Sequence, residues 1–170
     1  MIAATSMLAS PMSRISGNSR RTEISVVTAY QELGNLGETK VVQFCSCPKC
    51  KRQKTLRRLP INFKCADVIC DFCGYLGQVK AARVTYISVI PKAVLGAAWK
   101  PQKERMDAAI YFPLFLVLVS KNLKQFAIHY LAADLQKPEL FKPRSPLSKS
   151  ARRAGWQGFV YDTDKVRTSF

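Results

Sequence analysis

The chain has 170 residues, with 27 Lys and Arg against 11 Asp and Glu, a formal net charge of +16, and 48% hydrophobic residues. That apolar content suffices for one domain core, and the charge excess calls for a polyanion, a need that DNA, RNA and an acidic membrane surface all meet. The single histidine, His129, sits in an apolar stretch with no Ser or Cys nucleophile partner, which argues against a His-based triad, and there is no P-loop or GxGxxG.

The first twenty residues contain Ser, Arg and Met but no acid; they read as an unstructured start, although an organelle transit peptide has the same composition. Thr22 is positioned to cap a helix running through Leu33, with Ile24, Val27 and Tyr30 at helical spacing and Gly34 as a stop. Glu32 on that helix reads as a surface charge and stays outside the expected site.

CPKC (Cys47 to Cys50) and CDFC (Cys70 to Cys73) follow. Each CxxC turn can aim two thiolates at one tetrahedral ion, and two such turns separated by a loop supply the four sulfurs of a structural zinc site. With no secretory signal, disulfides are the weaker reading, and the chain is expected in the cytoplasm. Cys45 and Cys65 are left as spare buried thiols. The loop between the turns carries Lys49, Lys51, Arg52, Lys54, Arg57 and Arg58 with no acid nearby in sequence, a surface suited to phosphates.

NFKCADVIC and YLGQVKAARVTYISV are rich in β-branched and aromatic residues and predict two strands joined by CDFCG, so that a metal would clamp the hairpin tip. A turn centred between Phe72 and Cys73 sets Asp67 opposite Gln78, and the two-residue side-chain period puts Lys80 on the face of Gln78. A short helix is expected from Gln102 to Ala109, then strands from Tyr111 to Ser120 and Gln125 to Leu131 about the SKNLK turn, completing a mixed sheet. The apolar run Ile110 to Val119 is too short to span a bilayer. The Pro-rich stretch from Pro138 to Pro146 reads as a loop leading into ARRAGW, where Arg152 and Arg153 read as solvated and Trp156 as core.

An acid on one strand followed by Glu or Gln, any residue, and Lys on the next is the active-site pattern of the PD-(D/E)xK nucleases, present here as D67…Q78-V79-K80. The order CPxC, ADxxC, xxC, (E/Q)xK at this spacing resembles the catalytic domain of the DpnI-type methyl-directed restriction endonucleases, whose relatives include the Dam-replacing proteins. The resemblance runs from about Val41 onward, through FPLFLVLVSKN, and is sharpest at PLSKSARRAGW, Pro146 to Trp156, which is similar to the PLxxxARRAGW segment of that family.

The resemblance implies an α+β (α/β) restriction-endonuclease-like core: a central mixed sheet flanked by helices, with a four-cysteine zinc knuckle inserted at a β-hairpin. Residues 1–20 would be a disordered N-terminus and 21–170 a nuclease domain with the zinc site embedded at 47–73. It implies a type II restriction-type deoxyribonuclease acting on double-stranded DNA, with adenine methylation as its mark. Asp67, Gln78 and Lys80 would be catalytic, with Asp67, Gln78 and the Val79 carbonyl holding Mg²⁺ or Mn²⁺. The resemblance adds Arg152 and Arg153 as DNA contacts, beside Lys51 and Arg52 from the charge of the loop and the structural Zn²⁺ that the CxxC spacing places on Cys47, Cys50, Cys70 and Cys73. Gln78 departs from the family glutamate, and a neutral amide is a poorer Mg²⁺ ligand than a carboxylate. The family proteins continue into a C-terminal winged-helix module where this chain stops at Phe170; were the chain complete, a partner subunit or dimer would supply the missing target reading. The alternative is a catalytically inactive zinc-ribbon module that binds nucleic acid through its basic loop, and an interaction domain for an acidic protein partner stands third.

Overall fold

The computed structural model describes residues 29–61, 63, 65–96, 100–145 and 158–166. Helix α1 (Ala29–Phe44) is amphipathic, with Leu33, Gly37 and Val41 four residues apart on the face that meets the core. It runs through Gly34 and Gly37 instead of stopping at Gly34. Gly37 explains the continuation: a Cβ there would stand 2.8 Å from the Ala81 Cβ, so glycine serves helix-on-strand contact and not termination. The expected stretch from Thr22 to Thr28 lies outside the described residues, as does the start at residues 1–20.

Strands β1 (Leu56–Arg58), β2 (Val68–Cys70) and β3 (Leu76–Val84) form an antiparallel meander. The turn between β2 and β3 is the expected CDFCG, closed by Gly74 at φ 68°. Strand β4 (Ala93–Leu95) and helix α2 (Lys100–Asp107) then carry the chain to β5 (Leu114–Ser120), which lies parallel to β3, and β6 (Phe126–Leu131) turns back antiparallel. The five-stranded mixed sheet has the order β1-β2-β3-β5-β6. Every residue of β5 is buried, as a strand covered on both faces requires.

The two faces of β5 build two cores. Phe115, Val117 and Val119 join Val41 of α1, Val79, Leu56, Val68 and the cysteines Cys47 and Cys70. Leu114, Leu116 and Leu118 join Leu131, Val94, Leu140, Phe159 and Tyr161. The last two come from β8 (Phe159–Asp162), the middle strand of a second, three-stranded antiparallel sheet in which β4 and β7 (Phe141–Pro143) flank it. The architecture is therefore α+β with a mixed central sheet, as expected, plus a small sheet that sequence patterning does not announce. The Pro-rich stretch is not a plain loop: Pro138–Leu140 makes a 3₁₀ turn and Phe141–Pro143 an edge strand, the position in a sheet that tolerates proline.

Candidate functional site

The two CxxC turns meet at one point. The sulfurs of Cys47, Cys50, Cys70 and Cys73 all lie within 4.8 Å of one another, with Cys47 to Cys73 at 3.6 Å and Cys50 to Cys70 at 3.7 Å. Four thiolates about 2.3 Å from a tetrahedral zinc would stand about 3.8 Å apart, so the donor set fits such an ion. Main-chain donors prepare it. The amides of Cys50 and Lys49 hydrogen-bond the Cys47 sulfur, and those of Cys73 and Phe72 bond Cys70. Burial still pushes the Cys47 thiol up to about 12. At Cys70 burial acts in the same direction, but the hydrogen bonds from Thr55, Cys73 and Phe72 outweigh it and hold the thiol down to about 6. Cys45 and Cys65 stand outside this cluster.

Strand β2 links the cluster to a second site. Cys70 ends β2, and Asp67 lies just before its start, where the ladder to β3 runs out. The Asp67 N–H donates to the Gly77 carbonyl at 2.9 Å, and Asp67 Oδ2 accepts from the Val79 N–H at 2.6 Å. Asp67 thus brackets Gln78, consistent with the Val68↔Gly77 and Ile69↔Leu76 pairing. One carboxylate oxygen takes the place of a strand acceptor, and Oδ1 has no hydrogen bond among the described residues.

Gln78 is 4% exposed. Its Oε1 accepts from the Tyr161 hydroxyl at 2.6 Å, and its Nε2 donates to Gln102 Oε1 at 3.3 Å. Val79 points the other way, into the core shared with α1, while Lys80 is half-buried and returns to the Gln78 side by strand alternation. Among the described residues, neither Asp67 nor Lys80 enters an ion pair.

Glu32, in the first turn of α1, is exposed. The helix acid that reaches this region is Glu38, one residue after the Gly37 contact with β3. Burial pushes its carboxyl above the usual range, opposed by the Arg58 hydrogen bond and charge; Asp67 and Lys80 also act on it. Arg58 bonds Glu38 Oε2 through Nε at 2.8 Å and Asn35 Oδ1 at 2.7 Å. Sequence patterning misses Glu38 because Gly34 reads as the helix end; the Gly-x-x-Gly pair at 34 and 37 was the available sign of close packing. Tyr161 and Gln102 are also missed, since both reach the site from elements 83 and 24 residues away from Gln78.

The basic loop divides on folding. Arg57 pairs with Asp71 at 2.9 Å and Arg58 with Glu38 at 2.7 Å, so the absence of acids in the local sequence does not survive in three dimensions. Arg52 stacks on Phe72, its guanidinium carbon 3.5 Å from the ring centroid, and joins the two knuckles from outside. Lys49, Lys51, Arg52 and Lys54 are exposed. Arg152, Arg153 and Trp156 lie outside the described residues. No described helix is long and apolar enough to cross a membrane.

The structure defines an α+β domain whose mixed sheet carries an acid, an amide and a lysine beside a four-cysteine cluster that could hold a metal ion. The family model described as DpnI, the Dam-replacing family, matches residues 21–169, and the chain belongs to that family. Membership implies a restriction-type nuclease acting on DNA.

Proposed function

We propose that this chain is a divalent-metal-dependent DNA endonuclease of the PD-(D/E)xK type, with Asp67, Gln78 and Lys80 as its catalytic residues and structural zinc on Cys47, Cys50, Cys70 and Cys73. The observation that carries the reading is the 2.6 Å bond from the Val79 N–H to Asp67 Oδ2, which joins the acid to the QVK strand and leaves Oδ1 for other work. The donor set is a carboxylate, an amide oxygen and a main-chain carbonyl, from Asp67, Gln78 and Val79. It suits a hard cation, and these residues would hold Mg²⁺ or Mn²⁺. When bound, such an ion stabilises charge on the phosphate oxygens and favours ionisation of water.

The protein's own contribution is positional and electrostatic. Asp67 is held by three bonds with the main chain, one of them from the Val79 N–H to its carboxylate, which is therefore oriented before substrate arrives. Lys80 has no ion pair among the described residues, and its ammonium orients the attacking water and offsets charge developing on the phosphate. A cluster with four thiolate ligands leaves no open coordination position, so the zinc acts as a brace for the hairpin and takes no part in hydrolysis. Lys49, Lys51, Arg52 and Lys54 present exposed cations to the DNA backbone, with Arg152 and Arg153 as further contacts. Adenine-methylated double-stranded DNA is the substrate to try first.

The test incubates purified protein with Mg²⁺ or Mn²⁺ and matched plasmids that carry or lack adenine methylation, beside Lys80→Ala. Metal-dependent cutting that falls about 10²–10³-fold in Lys80→Ala supports the nuclease, and cutting confined to methylated plasmid extends it to methyl specificity. No cutting with either metal, alongside DNA binding that Lys80→Ala leaves unchanged, overturns it. The buried Gln78 amide, already bonded at both its oxygen and its nitrogen where a carboxylate would bind a cation better, favours one second reading: a zinc-ribbon module that binds nucleic acid without cutting it.

A further inference from the structure

Residues 78, 102 and 161 form a chain of buried neutral polar groups. Gln78 is 4% exposed, Gln102 3% and Tyr161 1%. Gln102 is the buried residue of α2, whose other side chains are charged except for the half-buried Pro101 and Met106. Three buried polar side chains are costly to keep unless each bond serves a purpose, because every unmet donor or acceptor costs about 1–3 kcal/mol. Here they are met in sequence: the Tyr161 hydroxyl donates to Gln78 Oε1 at 2.6 Å, and Gln78 Nε2 donates to Gln102 Oε1 at 3.3 Å. The two ends of the Gln78 amide are therefore distinguished, oxygen toward β8 and nitrogen toward α2.

We propose that Tyr161 is a positioning residue for the reaction patch: it fixes the direction and orientation of the Gln78 amide, and through this bond the small three-stranded sheet sets the geometry of the QVK strand.

The proposal rests on the nuclease reading for its consequence in catalysis, but its geometry stands apart. The Tyr161 ring cannot easily turn away. Phe159 meets it edge-on with centroids 4.9 Å apart, and Phe141 lies 5.5 Å off, so the hydroxyl is aimed by a packed aromatic group. Burial, and next the charge of Asp67, push its phenol well above the ordinary value, which keeps it protonated as a donor. Gln78 is equally confined along the main chain, where its N–H bonds the Pro113 carbonyl at 2.8 Å and its neighbours on both sides bond Asp67. The main chain thus leaves only the side chain to rotate, and Tyr161 holds its amide oxygen while Gln102 takes the nitrogen through a longer bond. A carbonyl oxygen has two acceptor sites; Tyr161 occupies one and so determines where the other points.

The experiment is a double-mutant cycle on the full chain with wild type, Tyr161→Phe, Gln78→Ala and the double variant. Tyr161→Phe removes only the hydroxyl and keeps the ring in the aromatic cluster. It is expected to lower kcat about tenfold with KM for DNA unchanged, whereas in the Gln78→Ala background it changes kcat by less than about twofold. An equal loss in both backgrounds overturns the proposal, because Tyr161 would then act without Gln78. A second readout does not need activity: the side-chain NH₂ protons of Gln78, assigned by their loss in Gln78→Ala, are expected to exchange slowly in wild type and to shift and exchange faster in Tyr161→Phe. An amide pair that Tyr161→Phe leaves in place overturns the positioning role. If wild type does not cut DNA, the nuclease reading fails on that ground, and the amide pair still decides the role of Tyr161.

Discussion

At Gly37 a single hydrogen atom in place of a side chain decides how closely α1 approaches β3, and two glycines in that helix make opposite predictions. Alanine is the better helix former by about 1 kcal/mol, but at position 37 its Cβ would lie 2.8 Å from the Ala81 Cβ, and backbone-borne atoms cannot swing aside. Gly37→Ala is expected to destabilise by about 1–3 kcal/mol, since overpacking outweighs propensity. A Cβ at Gly34 meets nothing within 4 Å, and Gly34→Ala is expected to stabilise by up to about 1 kcal/mol; urea unfolding of the two variants reads both signs. A third residue-scale case is Asp162, beside Tyr161. Its hydrogen bond from Lys142, at 2.7 Å, is the main cause that holds the carboxyl below its usual value. A depressed carboxylate contributes stability above its unfolded pKa and loses it as pH falls through the folded one. Lys142→Met should therefore lower the melting temperature near neutrality by an amount that disappears in the acid range, as a pH series of thermal scans would show. Asp67, Gln78, Lys80 and the four cysteines were legible as candidates because each belongs to a short spacing pattern. Glu38 and Tyr161 belong to none, and only tertiary packing brings them in.

The elements were legible where local chemistry agreed with the fold. The β2–β3 hairpin shows in its β-branched residues and CDFCG turn, and β5 and β6 show in two apolar runs about a polar turn. Strand β1 was hidden because two of its three residues are arginines, and β7 because proline ends it. Their reasons for being strands lie in neighbours: Leu56 pairs with Cys70, and Phe141 with Tyr161. Strand β1 also shows why the cysteine cluster matters beyond itself. It leaves the first knuckle, pairs with β2, and then bonds the Asp67 carbonyl through the Leu59 N–H at 2.9 Å. Releasing the proposed zinc should loosen all of this. Chelation at neutral pH is expected to lower the melting temperature by about 10 °C or more, and Cys73→Ser to abolish zinc retention, both checked by thermal scans beside metal analysis. Unchanged stability in a metal-free protein would remove the bracing role.

Over the whole molecule, the +16 net charge sets how binding should respond to salt. Every phosphate that the protein no longer neutralises should flatten the plot of log affinity against log salt by about 0.9 for duplex DNA. Replacing Lys49, Lys51 and Lys54 by Gln is thus expected to reduce the slope by up to about 2.7 without altering cutting per bound complex, as fluorescence anisotropy across a salt series would measure. An unchanged slope would move the DNA path away from the knuckle. The long reach of the pairing carries one more consequence, for the order in which a ribosome delivers the chain. Asp67, Gln78 and Lys80 emerge early, but β3 gains its parallel neighbour only with residues 114–120, and the hydroxyl that meets Gln78 belongs to residue 161. Pairings this distant close late. A nascent chain therefore carries the proposed catalytic side chains without the scaffold that aligns them until residue 161 has been made, and the proposed cutting activity has to wait for it.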